Sequence, residues 1–230
     1  MMICTVAVRA GSKGVPGKNW RPLGGIPLFA HSVRQAAASG LFDRIVVSSD
    51  APEVLGTALG FGATDVVERP AELAGDTTGK VPAIVHAVRT IETERGTTFD
   101  TVVDLDATSP LREIDDIRGA VALFQSTGAD SVITGSEAHR NPYFNLVEVD
   151  RETGVASLSK PGTHLRRQDV PPAFDMNASV YVWRRDVLVD DPRVFYPSTR
   201  LYEMPAERSR DIDSELDFEI VQWLMERRDS

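Results

Sequence analysis

Arg9-Ala10-Gly11-Ser12-Lys13-Gly14-Val15-Pro16-Gly17-Lys18-Asn19 follows directly on the apolar run Ile3 to Val8, so three glycines and three cations stand where a first strand ends. Glycines let backbone N–H groups approach an anion closely, and Arg9, Lys13 and Lys18 supply charge. Residues 1–42 carry five cations and no Asp or Glu, although the whole chain is formally −9. Positive charge gathered on one Gly-rich loop of an acidic protein points to a bound polyphosphate and away from a long nucleic acid. The spacing excludes a P-loop. Five residues separate Gly11 from Gly17-Lys18 where four are needed, and Asn19 stands in place of the Ser or Thr. The pattern G-x-x-G-x-x-G also fails the dinucleotide fingerprint.

Two carboxylate pairs offer complementary chemistry. In Asp211-Ile212-Asp213, residues i and i+2 of an extended segment point to one side, so both carboxylates can reach one cation. Oxygen ligands with room for water suit Mg²⁺, which also takes ligands from phosphates. The same acids, standing before a helix, can equally cap it. Asp104 and Asp106 repeat the spacing at the end of a buried strand, where a carboxylate is costly unless paired or metal-bound. Arg112 is then either a phosphate ligand or the partner of one of these acids. Arg166-Arg167-Gln168-Asp169 is a second cationic cluster, suited to a substrate carboxylate or to a solvated loop. The four histidines show neither metal-ligand spacing nor a nucleophile motif.

The elements that must position these groups alternate. Strand patterns cover Ile3–Val8, Arg44–Ser48, Asp65–Val67, Thr101–Leu105 and Ser131–Thr134, and helical patterns cover Pro27–Ser39, Pro52–Leu59, Lys80–Glu94 and Asp115–Ser126. The third helix carries Val81, Ile84, Val85, Val88 and Ile91 as an apolar stripe. Near-continuous apolar strands between helices predict a doubly wound, mostly parallel α/β sheet with ligands outside the carboxyl ends of its strands. Both the Gly-rich loop and Asp104–Asp106 fall there. After about Ser136 the order changes. Tyr143–Val149 and Val155–Lys160 read as an antiparallel pair, Ser179–Trp183 as a strand, and Ser214–Arg227 as a helix opening on a capping-box spelling with Asp217 at its third position.

At 230 residues the chain suffices for one domain with a small inserted lobe. No apolar stretch reaches the ~20 residues of a membrane helix, and the N-terminus lacks the basic and apolar regions of a secretory signal, so the cytoplasm is the expected compartment. Cys4, the only cysteine, lies in the first apolar run and reads as a buried inert thiol.

Five landmarks in order resemble the CMP-nonulosonate synthetases, also called acylneuraminate cytidylyltransferases. They are Arg9–Asn19, Arg69–Thr77, Thr108–Arg112, Arg167–Asn177 and Asp211–Asp217. The resemblance implies a GT-A-like α/β enzyme that joins CTP to a nine-carbon keto acid sugar, with Mg²⁺, releasing pyrophosphate. It implies triphosphate contacts from Arg9 and Lys18, and nucleotide contacts from Ala10, Gly11, Ser12, Asn19, Arg69, Asp76, Thr78 and Lys80. Asp211 and Asp213 would bind Mg²⁺. Asp106, Arg167, Gln168, Asn177, Tyr181 and Phe195 would frame the sugar pocket. A lobe over about residues 138–176 would reach into a partner subunit, giving a homodimer. Three positions depart from the sialate-activating pattern. Asp106 stands where Gln is common, Asp175 replaces a basic residue, and Lys80 replaces a small hydroxyl residue. The spellings around Asp104–Arg112, His139–Asn145 and Asp175–Ser179 look more like the branch assigned to legionaminate. Other readings of the same residues are a cytidylyltransferase for an eight-carbon keto sugar or a polyol phosphate, and a CTP-binding module without turnover.

Overall fold

A computed structural model describes residues 1–11, 14–75, 78–162 and 169–228. In chain order the strands and α-helices are β1 (Met2–Val8), β2 (Pro22–Leu23), β3 (Ile26–Pro27), α1 (Leu28–Ser39), β4 (Arg44–Ser49), α2 (Pro52–Ala58), β5 (Asp65–Glu68), α3 (Ala71–Ala74), α4 (Lys80–Arg95), β6 (Thr101–Leu105), α5 (Ile114–Thr127), β7 (Ser131–Glu137), β8 (Val147–Val149), β9 (Ala156–Leu158), β10 (Phe174–Arg184), α6 (Arg185–Asp190), β11 (Arg200–Glu203) and α7 (Glu215–Arg228). Seven strands form one sheet in the order β5-β4-β1-β6-β10-β7-β11, parallel except for β10, which runs antiparallel to both neighbours. The chain steps outward from β1 to β4 and β5. Helix α4 then carries it back to β6 on the other side of β1. Strand order therefore reverses between β1 and β6, and in an open α/β sheet the crevice beyond such a point is where ligands bind.

Side-chain alternation along β1 sorts the core. Cys4, Val6 and Val8 face α1, α2 and α5 with Phe29, Val33, Val54 and Ile117. Ile3 faces the opposite layer with Ile84, Val88 and Ile91 of α4 and Leu188 of α6. The apolar stripe expected on α4 is this buried face, with Val81 at its partly covered end. A third cluster joins Val15, Leu23, Leu28, Leu111 and Ile212 to Phe218 and Val221 of α7. That cluster fastens the last helix beneath the loop that follows β1.

The expected elements are present with small changes at their ends, and β10 departs furthest from its expected bounds. It begins at Phe174, ahead of the expected start at Ser179. Its register against β7 shifts between Met176 and Tyr181, and Ala178 takes a positive φ of 52°. The buried Asn177 side chain stabilises this irregularity. Its Oδ1 accepts from Thr134 Oγ1 (2.6 Å) and the Ser179 N–H (3.1 Å), and its Nδ2 donates to Ser209 Oγ (3.0 Å). A bulge tied by a polar side chain has no period-2 signature, which is why the sequence pattern missed it. The lobe pair is shorter than expected, with Val147–Val149 pairing Ala156–Leu158 across the turn at 150–154. At α7, Ser214 and Asp217 cap reciprocally: the Ser214 N–H donates to Asp217 Oδ2 (2.9 Å) and the Asp217 N–H to Ser214 Oγ (3.2 Å).

Arg112 locks the loop after β6 into the core. It is 2% exposed. Its guanidinium donates to Gln35 Oε1 (3.0 Å), Ser179 Oγ (3.1 Å), Ser32 Oγ (2.5 Å), the Asp106 carbonyl (3.0 Å) and the Ser179 carbonyl. Burial lowers its pKa to about 10, and the Asp106 and Asp104 charges oppose that. Arg112 is therefore a structural partner and lies too deep to bind phosphate. Arg112→Leu leaves buried acceptors without a donor and is expected to destabilise the fold by about 3 kcal/mol or more. Urea denaturation checks this, and an unchanged midpoint would show that these acceptors find other donors.

Candidate active site

Every loop that leaves the sheet at the β1/β6 crevice contributes to one cleft. Arg9, Lys18 and Asn19 follow β1, Arg69 follows β5, Thr78 and Lys80 open α4, and Asp106 and Thr108 follow β6; all of them line it. Ala10 lines an adjoining recess with Gly17, Asn19 and Trp20.

The loop after β1 is held against the end of the chain. Gly14 lies so close to the segment before α7 that a Cβ there would sit 2.0 Å from the Asp213 carbonyl oxygen. Gly17 adopts φ 65°, and the N–H groups of Trp20 and Arg21 turn back to its carbonyl (2.9 and 3.0 Å). Val15 and Ile212 meet in the third apolar cluster. The Lys18 ammonium, 9% exposed as a residue, donates to the Ile212 carbonyl and stands 3.4 Å from Asp213 Oδ1. At the loop's start Asp50 Oδ1 accepts from the Ala10 N–H (2.8 Å).

With Ile212 turned into the core, Asp211 and Asp213 share the opposite side, as the i, i+2 spacing requires. Asp213 is exposed and Asp211 half-buried. Burial pushes the Asp211 carboxyl up to about 6, assisted by the charges of Asp106 and Asp213 and opposed by Thr108 and Lys18. The single Thr108 hydroxyl proton points to Asp106 Oδ1 at 2.8 Å, and Asp211 Oδ1 is buried without a hydrogen-bond partner. A buried carboxylate oxygen lacking a donor, beside a second, exposed carboxylate, fits a divalent cation that keeps its remaining positions for water and phosphate. No group of three or more His, Cys, Asp or Glu among the described residues is placed to hold a metal unaided.

Two further atoms in the cleft are buried and unpaired. Asn19 donates through Nδ2 to the Arg9 carbonyl (3.0 Å), leaving its Oδ1 without a donor. Arg69, 7% exposed, donates through Nη2 to the Ser48 carbonyl (3.0 Å), and its Nε lacks an acceptor. Burial lowers the Arg69 pKa, and Asp50 and Asp104 offset that lowering. Unpaired buried donors and acceptors lining a cleft are where a ligand's own polar groups gain most.

Lys80 departs from its expected place as a nucleotide ligand. Its ammonium is held between Asp104 Oδ2 (2.5 Å) and Asp106 Oδ2 (2.8 Å), so it is not a free cation for phosphate. Asp104, expected from the sequence to be paired or metal-bound, is 0% exposed, and its Oδ1 accepts from Thr5 Oγ1 (2.8 Å). The i, i+2 spacing at a strand end was the signal for this pair. Tyr181 lies beside the clamp, 7% exposed, with Lys80 Nζ 5.8 Å from its ring centroid and its own ring stacked on Trp183. Asn177 is engaged within the bulge of β10 and does not line the cleft. Phe195 is brought to a different place altogether. It precedes β11, next to Val194, whose carbonyl accepts from Ser131 at the start of β7, so it lies at the amino-terminal edge of the parallel strands, opposite the cleft. A sequence motif does not report which end of a sheet a connection occupies. Gly11 is exposed in the loop after β1. The expected contacts from Ser12, Asp76, Arg167 and Gln168 lie outside the described residues.

The cytidylyltransferase family profile matches residues 3–225 of the chain. The chain is 42% identical over 227 residues to a post-translational flagellin modification protein B of Campylobacter coli, covering 99% of this chain and 96% of that protein. It is 41% identical over 224 residues to a CMP-N,N'-diacetyllegionaminic acid synthase of Campylobacter jejuni, covering 97% and 94%. Among solved structures, a CMP:2-keto-3-deoxy-manno-octonic acid synthetase complexed with CTP superposes with a TM-score of 0.72 at 17% identity over 99% of both chains, a likeness of fold.

The tight approach of the two segments yields a measurable expectation. Gly14→Ala forces the loop off the Asp213 backbone, lowering stability by about 1–3 kcal/mol and weakening nucleoside triphosphate binding. Thermal melting and calorimetric titration check this; wild-type values for both would show that the loop does not depend on the contact.

Proposed function

The chain belongs to the cytidylyltransferase family, and from that premise we propose that it joins CTP to a nonulosonic acid of the N,N'-diacetyllegionaminate type, forming the CMP-sugar and pyrophosphate. The observation that carries this reading is the meeting of Lys18, from the Gly-rich loop, with Asp213 beside a cleft that also presents Arg9 and Arg69. A cationic rim next to paired acids suits a triphosphate and its metal better than it suits any neutral ligand.

In the reaction the anomeric hydroxyl oxygen of the sugar attacks the α-phosphorus of CTP, the bond from that phosphorus to the pyrophosphate oxygen breaks, and the hydroxyl proton passes to solvent. Positioning and charge neutralisation dominate such a transfer. Arg9 and Lys18 hold the triphosphate and stabilise charge growing on the leaving pyrophosphate. Asn19 Oδ1 and Arg69 Nε, unpaired in the cleft, are matched to polar groups of the nucleoside. Asp211 and Asp213 would hold Mg²⁺, which supplies further neutralisation of phosphate oxygens when bound. Asp106 is the acceptor-sugar contact in this reading. The hairpin of β8 and β9 leaves Leu146, Val147, Val149 and Val155 exposed, which supports the lobe as the contact of a homodimer. The compartment we assign is the cytoplasm, where CTP is made.

Pyrophosphate release from CTP and Mg²⁺ with a panel of acceptors tests the proposal. N,N'-Diacetyllegionaminate is expected to be turned over faster than N-acetylneuraminate or 2-keto-3-deoxy-manno-octonate. CTP binding without release for any acceptor would make the chain a binding module, and release with the octonate alone would reassign the sugar. Lys18→Ala is expected to lower kcat about 10²-fold. Asp213→Ala is expected to raise the Mg²⁺ concentration needed for half-maximal rate; an unaltered Mg²⁺ dependence would remove that residue from the metal site.

A further inference from the structure

The buried end of the cleft holds a charge arrangement that triphosphate chemistry does not use. Asp104 ends no turn and caps no helix. It lies with zero exposure inside β6, facing the layer beneath α4, one oxygen accepting from Thr5 and the other against Lys80. Lys80, the first residue of α4, bridges from there to Asp106. Asp106 in turn accepts on Oδ1 from both the N–H (3.0 Å) and the hydroxyl (2.8 Å) of Thr108. The row Thr5–Asp104–Lys80–Asp106–Thr108 is thus continuous, with four of its members fixed by secondary structure or by a turn. Thr5 and Asp104 lie behind the cleft, and the half-buried Lys80, Asp106 and Thr108 line it.

We infer that Asp104 and Lys80 are positioning residues for the acceptor sugar: Asp104 anchors Lys80, and Lys80 holds the Asp106 carboxylate ionised and in one orientation at the sugar end of the cleft. The inference rests on the reading of Asp106 as the acceptor contact. Three physical points support it. Two carboxylates on one face this close would repel and drive one to protonate without the ammonium between them. Burial alone would lower the Lys80 pKa, and the Asp104 and Asp106 charges override it and raise it, so the ammonium persists. Burial alone would raise the Asp106 pKa, and Lys80 together with Thr108 holds it down at about 2. The clamp also limits what it can recognise. Asp106 Oδ1 is filled by Thr108, so Oδ2 keeps one lone-pair direction beside the Lys80 ammonium. An acceptor and a donor 2.8 Å apart match a ligand hydroxyl, which both gives and takes a hydrogen bond. They match an anionic phosphate oxygen poorly, because the carboxylate repels it. The class of group selected here is therefore a neutral sugar hydroxyl.

Steady-state kinetics on the full chain separate this from a phosphate-binding Lys80. Lys80→Met and Asp104→Asn are each expected to raise KM for the acceptor about tenfold and to leave KM for CTP within about twofold. Combining Lys80→Met with Asp106→Asn is expected to add nothing beyond the larger single effect, because the residues act as one unit. A rise in KM for CTP with an unchanged acceptor KM would overturn the inference, as would additive effects in the double variant. A lowered melting temperature with both KM values unchanged would reduce the clamp to a folding role and also overturn it. If Asp104→Asn does not fold, Lys80→Met carries the same test. Failure of the underlying reading is visible separately, in the wild-type chain, as absence of turnover with every nonulosonate. In that event calorimetric CTP affinity still decides, since a tenfold loss in Lys80→Met would make Lys80 a phosphate ligand and unchanged affinity would exclude that.

Discussion

One ammonium group joins the two ends of this molecule. Lys18 belongs to the loop after the first strand, and the carbonyl and carboxylate it reaches, on Ile212 and Asp213, belong to the segment before the last helix. A nearly buried lysine is unfavourable without acceptors, so the loop can take its shape only when that segment is in place. The apolar contact of Val15 with Ile212, Leu28 and Phe218 brings the segment there. Cationic loop, carboxylate pair and terminal helix therefore form one packed unit. Neither half of the candidate site is complete without the other.

Charge in this protein divides into groups that hold the fold and groups that face the cleft, and type alone does not tell them apart. Arg112 lies in a landmark shared with the resembled family and is buried among serine, glutamine and carbonyl acceptors. Arg208 likewise meets the buried Asp116 through paired bonds of 2.8 and 2.9 Å. Arg9 and Arg69, by contrast, line the cleft. The distinction follows from partners: a guanidinium whose acceptors are all protein atoms is a fastener, whereas Arg69, whose buried Nε has no acceptor at the cleft wall, is matched to something that arrives.

Strand order and the crevice at its reversal are matters of topology, tolerant of almost any apolar sequence. Side chains around that crevice decide chemistry. In this chain Asp104, Lys80 and Asp106 form a buried row whose charges only make sense together.

Periodicity and local spacing, read from the residues alone, determined the alternating strands and helices, the parallel sheet, the reciprocal cap of α7 and the placement of Asp211 and Asp213 on one side of their segment. These are properties of neighbouring residues, governed by the 3.6- and 2-residue repeats and by short-range hydrogen bonds. Even β6, Thr101–Leu105, has the bounds its apolar run dictates. Tertiary structure alone decided the rest: that Lys80 pairs with two carboxylates, that Arg112 is interior, that Asn177 ties a bulge, and that Phe195 lies at the far edge of the sheet. Each of these is settled by which distant segment packs alongside. A side chain's partners are chosen by contacts across the fold, and a sequence pattern carries no record of them.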